Sequence, residues 1–564
     1  VRTTASEQLE PEERRVLARY VTDLDGNVFA LTNLPEEVKG ALFARYSRST
    51  KGLRRLLLDE FLDGPGAAGG AGEDGPGAAV GSAGRERAEQ FYARVLDEYG
   101  DDSIAQLGGV HVACEQVSNL LTKVLERPRL MSYLEQSTRY VPYDTRDASG
   151  RYRYYRDPDV LDSPLGARYV AEMDAMFDAY SELLPLVVAH LARALPRDPV
   201  VTEIAWRRSV RARALDALRG LLPAGACSNV GIFGSGQAFE ALVLRLRVHP
   251  LPEARRVGEA ILREIRKVTP AFLRRVDLPE RGGEWSAYLA RCREETATAV
   301  AETLGSAHGG APLHGPLPAE VDLVDFDPDG EDKVLAAIAY PHARRPEREL
   351  LAAVRRLDPA GRARLFEAYV GDRRNRRHRP GRAFERTSYR FDVVSDYGAF
   401  RDLQRHRLLT VEWQPLGTSL GYALPEDVVE AGVARRYEEC LERSAALHEA
   451  LAQRFPAQAG YAVALAFRVR YALQLNAREA MHVIELRSAP QGHPSYRQVV
   501  QEMHRLIAER AGHRALAAAM RFADHGGATL GRLASEQRRA DRIPRADGEG
   551  PLLRHLDGEA VRRA

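Results

Sequence analysis

Two stretches of this chain, far apart, carry arginines at matched spacing. The first reads Arg127-Pro128-Arg129, then seven residues, then Ser137-Thr138-Arg139-Tyr140, with Ser132 and Glu135 inside the interval. The second reads Arg405-His406-Arg407, but has Trp413, Pro415 and Gly417 at the offsets where the first has Glu135, Ser137 and Arg139. Two guanidinium groups one residue apart, followed by a Ser/Arg loop, suit an anion. The forks bind phosphate or carboxylate bidentately, while hydroxyl and backbone N–H groups complete the cradle. Only five of the 81 basic residues are Lys, and in so Arg-rich a chain a single Arg is ordinarily half of a surface ion pair. The weight therefore rests on the combination at fixed offsets. One copy keeps the loop and lacks the His; the other keeps Arg-His-Arg and lacks the loop.

This pattern resembles the signature of the flavin-dependent thymidylate synthases, Arg-His-Arg followed after seven residues by Ser, and implies a divergent tandem of two such units. Asp216-Ala217-Leu218-Arg219 ahead of Leu221-Leu222-Pro223 is similar to the family's acidic-x-Ala-Arg segment, whose Arg touches the nucleotide. The second half has Ala457 and Gly460 at those positions. Conversely, Asn476-Ala477-Arg478 and Leu486-Arg487 look like the family's flavin-contacting Asn-x-Arg and its final Leu-Arg, with His482 where the family has Asn. The corresponding stretch of the first half, Ser235-Gly236-Gln237 through Arg245, has lost these residues.

The resemblance implies a nucleotide on Arg127, Arg129, Ser132, Glu135, Ser137, Arg139 and Arg219. It implies FAD on Arg405, His406, Arg407, Asn476, Arg478 and His482, and Arg487 on the uracil ring, favouring its ionisation. The implied activity is methylation of dUMP to dTMP with methylenetetrahydrofolate and NADPH. No metal and no catalytic Cys are called for. The family builds each site from several subunits of a homotetramer, so a dimer of this fused chain would mimic it. Two other readings stay open: a nucleotide- or flavin-binding pseudoenzyme, and flavin-dependent alkylation of another pyrimidine or an RNA uridine.

The elements that position these residues follow from pattern. At 564 residues the chain exceeds one compact domain. A formal net charge of +2 predicts no general attraction to nucleic acid or to an anionic membrane. Four scattered cysteines, Cys114, Cys227, Cys292 and Cys440, read as reduced thiols, and with a polar, acidic start and no apparent bilayer-spanning run they point to the cytoplasm. The Ala/Gly-rich run 63–84 reads as an insertion in a first unit, 1–304, and the Gly/Pro/His-rich stretch 305–318, with His308 and His314, as a linker to a second unit, 319–564.

Leu107, Val110, Cys114, Val117, Leu121 and Val124 recur at helical spacing ahead of Arg127, and Val393, Tyr397 and Phe400 ahead of Arg405. Long amphipathic helices are predicted around Val170 to Leu184 and Val433 to Leu451. Thr387 to Val394 alternates as a strand; Asn27 to Thr32 and Lys333 to Tyr340 read as short strands or buried turns. The expected fold is α+β, helix-dominated, with a small sheet in each half. His111 reads as a core histidine on a helix, Gly231 to Gly236 as a glycine run without a flanking strand and helix, and the basic run Arg373 to Arg382, including Arg377-His378-Arg379, as a solvated loop.

Overall fold

The computed structural model describes residues 9–46, 49–62, 106–305, 313–316 and 319–527, with 531, 533 and 537. The 63–84 run and His308 lie outside the described residues. The fold is mixed α+β, as the pattern implies. In the first half, β1 (Gly109–Ser118), β2 (Met131–Glu135) and β3 (Cys227–Ser235) form an antiparallel sheet in the order β1-β3-β2, with helices α1 (Asn119–Leu125), α2 (Gly166–Ala194), α3 (Glu203–Leu218), α4 (Gly236–Arg247) and α5 (Pro252–Ile265). After β4 (Leu313–Pro316), the second half has β5 (Glu320–Phe326), β6 (Ser388–Asp396), β7 (Thr410–Trp413), β8 (Leu420–Tyr422) and β9 (Arg468–Asn476). Its sheet order is β5-β6-β9-β7, and its helices are α6 (Tyr397–Leu403), α7 (Ala434–Ala452), α8 (Ala477–Arg487) and α9 (Pro494–Glu509).

The two halves repeat one plan. Four strands run straight into helices, and each junction is capped by a short polar side chain. Ser118, Ser235, Asp396 and Asn476 accept from the N–H of Leu121, Ala238, Ala399 and Glu479, which satisfies an otherwise orphaned helix donor. Ser132 pairs with Phe233 and Glu135 with Val230 on β3; Thr410 pairs with Gln474 and Trp413 with Tyr471 on β9. With the two capped junctions aligned, this register makes Arg127, Pro128 and Arg129 the counterparts of Arg405, His406 and Arg407. The helix α3 has no counterpart, because only a few residues separate α7 from the turn Ala459–Ala462.

The halves are joined about a local two-fold relation. Ala224 and Gly225 donate to the carbonyls of Val463 and Tyr461, while Leu465 and Ala466 donate to Leu222 and Gly220, around an antiparallel bridge between Pro223 and Ala464. A single apolar core spans both halves, and a smaller one holds Leu17, Val38, Leu42, Leu57 and Phe61 against Phe272.

Several expectations are corrected. Gly109–Ser118 is a strand, not a helix. Val110, Val112 and Cys114 alternate inward until a bulge between Cys114 and Val117 adds a residue, with Gln116 at φ 55°. That extra residue, followed at once by α1, imitates helical spacing. Val393 likewise belongs to β6, and Tyr397 and Phe400 to α6. Lys333 to Ala339 lies in the helix Gly330–Ala339, with Val334, Leu335 and Ile338 buried on one face. Asn27 to Thr32 is a loop closed by one bridge, Val21 to Leu31. The linker holds β4, paired in parallel with β8. His111 is exposed on β1, its ring 4.5 Å from that of Phe233. Gly231 to Gly236 does join a strand to a helix, though in an antiparallel sheet. The helix α2 is long and apolar enough to cross a membrane by length and composition, but Tyr169, Met173, Phe177, Leu184 and Leu191 on it are core residues.

Candidate functional site

Residues from both halves converge on Asp402, on the last turn of α6. Arg219, which follows α3 in the first half, donates to it at 3.2 Å. Arg487 at the end of α8 lies 3.7 Å from it and Arg405 3.9 Å. Burial opposes ionisation of Asp402, but Arg219, Arg405, Arg487 and Arg139 outweigh it and hold the carboxyl far below its usual range. Arg139 grips Asp216 through two hydrogen bonds of 2.8 Å and donates to the Tyr496 hydroxyl at 2.8 Å. Arg139 and Arg487 both stand over the Tyr496 ring, 5.6 and 5.5 Å from its centroid. Four guanidinium groups thus meet two carboxylates, an excess of positive charge that suits an anionic ligand.

His406 continues the cluster. Its Nε2 accepts from Arg487 Nε at 2.9 Å, so the ring proton resides on Nδ1, which faces Glu479 Oε1 at 3.6 Å. Burial, helped by Arg487 and His482, depresses the His406 pKa well below its ordinary value, and the ring is neutral. Burial raises the Glu479 carboxyl to about 7 against the opposing pull of Arg379 and Arg478. The His482 ring lies 5.2 Å from that of His406 and bonds Arg379 at 2.8 Å. Ligand atoms of His406, Glu479 and His482 lie within 4.8 Å of one another, a spacing a metal ion could bridge. Arg487 and Arg379 already hold one nitrogen of each ring, however, and their charge opposes a second cation.

A second network supports the first from beneath. Glu135, with its side chain fully buried, receives Arg401 at 2.7 Å, Lys123 at 3.2 Å and Arg405. Burial disfavours its charge, but Arg401, Lys123 and Arg405 outweigh that and keep it ionised. Arg405 is thereby fixed between Glu135 of the first half and Asp402 of the second.

The other residues singled out by sequence lie elsewhere. Arg127 and Arg129 do not join the cluster: Arg127 is half exposed, paired with Glu412 at 2.7 Å, and Arg129 donates to Thr410 at 2.7 Å. Arg407 does the equivalent task, donating to the Met131 carbonyl and to Ser132, so Arg129 and Arg407 are matching clamps across the seam. Ser137 accepts from the Arg139 N–H at 3.2 Å and shapes the loop. Asn476 caps α8, and Arg478 donates to the Pro380 carbonyl at 3.0 Å. The basic run is not wholly solvated. Arg373 is buried on Glu485 with bonds of 2.6 and 2.7 Å, and Arg379 reaches His482. Sequence reading missed Asp402, Tyr496 and Glu479.

The family described as "Thymidylate synthase complementing protein" matches residues 70–271 and 322–511. The chain belongs to this family. One matched segment falls in each half. A "UPF0159 protein" of Chlamydia muridarum is 40% identical over 529 residues, covering 94% of this chain and 98% of that protein. A "Flavin-dependent thymidylate synthase" of Mycobacterium sp. (strain JLS) is 30% identical over 182 residues, 32% of this chain and 67% of that protein. A crystal structure of a UMP/dUMP methylase from Streptomyces cacaoi aligns with 38% of this chain at 19% identity and a TM-score of 0.31.

Within this family member the two local two-fold positions differ sharply. Where one has Arg139, Asp216, Arg219, Asp402, Arg405, His406, Arg487 and Tyr496, the other has Gly417, Ala457, Gly460, Val124, Arg127, Pro128, Leu246 and Ala254. Only Arg127 retains its type.

Proposed function

We propose that this chain is an FAD-dependent enzyme that methylates dUMP to dTMP with methylenetetrahydrofolate and NADPH, at one composite site per chain. The observation that carries the reading is the meeting of Arg139, Asp216 and Arg219 from one half with Asp402, Arg405, His406 and Arg487 from the other. Each half alone lacks one side of that set.

The residues fit the groups they would hold. Arg139, Arg219 and Arg487 gather on only two carboxylates, Asp216 and Asp402, and that surplus of guanidinium groups favours an anionic ligand. FAD, when bound, supplies the redox chemistry of one-carbon transfer. Arg405 and His406 would face the flavin, with His482 behind them, while Arg407 is held on Met131 and Ser132. Arg139, with Ser137 shaping its loop, engages the nucleotide phosphate. Arg487 stabilises negative charge on the uracil, and the neutral His406, accepting from its Nε, orients its guanidinium. A low-dielectric surround strengthens that interaction.

One observation favours a second reading, a nucleotide-binding pseudoenzyme: Asn476 and Arg478 are both engaged internally. Two measurements separate the readings. The protein is incubated with FAD, desalted, and its visible spectrum followed on adding dUMP; the gene is also tested for thymidine-independent growth of a synthase-deficient strain. Retained flavin with a dUMP-dependent spectral shift, together with growth, supports the enzyme. Colourless protein without growth removes it and leaves the pseudoenzyme.

A further inference from the structure

Glu479 sits on the first turn of α8 with 4% of its side chain exposed. The helix does not need a carboxyl there. The matching position of α4 holds Ala238, whose N–H takes the Ser235 cap as that of Glu479 takes the Asn476 cap. Burial works against a charge on Glu479, and Arg379 and Arg478 offset it only in part. A buried carboxyl that costs stability and that the fold does not require points to a role for its oxygen atoms.

Those oxygens meet His406. Arg487 Nε donates to His406 Nε2 at 2.9 Å, and a guanidinium can only donate. Nε2 is therefore the bare nitrogen, the proton is on Nδ1, and Glu479 Oε1 stands 3.6 Å from it. His482, edge-on to the His406 ring at 5.2 Å, cannot take the place of Glu479. Arg379 donates to His482 Nδ1 at 2.8 Å, and burial together with Arg379 pushes that imidazole down to about 4. The ring is neutral, so its other nitrogen carries the proton and does not accept. Beyond His406, Arg487 lies 3.7 Å from Asp402 through Nη1 and stands over the Tyr496 ring.

The three residues are also lost together. Across the local two-fold relation Glu479, His406 and Arg487 correspond to Ala238, Pro128 and Leu246. The helix cap, which serves the fold, is kept at both positions.

We propose that Glu479 is a positioning residue for the one-carbon transfer: it holds His406 in the tautomer that accepts from Arg487, and so fixes the guanidinium that stabilises charge on the uracil. This rests on the methylation reading given above. The carboxyl acts through His406, as the carboxylate of a hydrolase triad selects the tautomer of its histidine without reacting. Without it the imidazole is free to carry its proton on Nε2, which turns that nitrogen into a second donor facing Arg487 Nε.

The test uses the full chain and two readouts. Histidine labelled with 15N reports the tautomer, the His406 signals being assigned by their loss in His406→Gln. In wild type and in Glu479→Gln, which keeps an acceptor oxygen, Nε2 gives the shift of a bare ring nitrogen and Nδ1 that of a protonated one. Glu479→Leu fills the space without an acceptor and removes a buried carboxyl, so the fold is retained, while the two His406 shifts converge or exchange. In dUMP turnover, Glu479→Leu lowers kcat by about tenfold or more with KM for dUMP little changed, and Glu479→Gln recovers most of that loss. An unchanged His406 tautomer in Glu479→Leu, or an equal loss of kcat in the Leu and Gln variants, overturns the inference while wild-type turnover leaves the methylation reading standing. Absence of wild-type turnover beside the expected 15N shifts removes the methylation reading, and the catalytic role of Glu479 with it.

Discussion

Replacing Glu479 with Gln should stabilise this protein, and only above mildly acidic pH. Glu479 has 4% of its side chain exposed, beside a neutral His406. Its carboxyl titrates near 7 in the folded chain against a model-peptide value of 4.5, burial being the main cause. An acid with a raised folded pKa holds its proton more tightly in the folded state. No penalty exists below about pH 4.5, it grows between 4.5 and 7, and it is complete above 7. Raising the carboxyl from 4.5 to about 7 corresponds to roughly 3 kcal/mol. Gln keeps the shape and carries no charge, so Glu479→Gln gains up to that amount at pH 8 and about nothing at pH 4.5. His406 has its pKa depressed, so it costs stability as pH falls below the ordinary imidazole range. That cost is common to wild type and variant and cancels in their difference. Melting temperatures of both, taken from pH 4.5 to 8.5 in one buffer series, should diverge through pH 5 to 7 and then run parallel. A gap independent of pH, or one that closes as pH rises, refutes the assignment of a buried neutral carboxyl beside His406.

Further outcomes follow from the same geometry. Arg487→Ala should abolish dUMP turnover while flavin remains bound, checked by absorbance after desalting; unimpaired turnover removes the role given to Arg487. Glu135→Ala takes from the buried Arg401 its carboxylate and leaves Lys123 on Glu126 and Arg405 beside Asp402 and Glu126, which should cost about 3–5 kcal/mol in denaturant unfolding. Arg139→Ala should weaken nucleotide binding by one to two orders of magnitude, about 1.5–3 kcal/mol for a charged hydrogen-bonding group, whereas Arg127→Ala should change it little in direct titration. Burial raises the thiols of Cys114, Cys227 and Cys440 to about 11, 12 and 12, so in native protein a thiol reagent at pH 8 should modify Cys292 alone, and all four after denaturation.

Much of the site was legible because its chemistry is written locally. Arg139, Arg219, Arg405, His406 and Arg487 each sit in a short motif, and the capped strand-to-helix turns fix where each motif falls. Arg127 and Arg129 fall outside the cluster for the same reason in reverse. They share the motif with Arg405 and Arg407, but what a motif residue meets depends on the strand opposite, and β7 offers Glu412 and Thr410 rather than a ligand loop. The helix expected over 107–124 failed because a bulge and a following turn of helix reproduce a helical interval from strand alternation. Asp402, Tyr496 and Glu479 were invisible as partners, since α6, α8 and α9 bring them together only by packing.

The contrast between the two local two-fold positions bears on what a duplicated chain must keep. The seam is held alike on both sides: matched backbone bonds around Pro223 and Ala464, and matched clamps from Arg129 and Arg407. Neither half could lose these without exposing a core that runs through both. Ligand-facing residues carry no such obligation to the fold. Where they are gone, the space has been closed with protein, as Tyr461, Tyr155 and Glu253 do opposite the cavity that Gly220 lines. Empty space costs stability, and Tyr461 shows that one aromatic ring can fill it. The Gly220 side, beside the one position that keeps its arginines, has no such ring, so the two positions differ in shape as well as in charge.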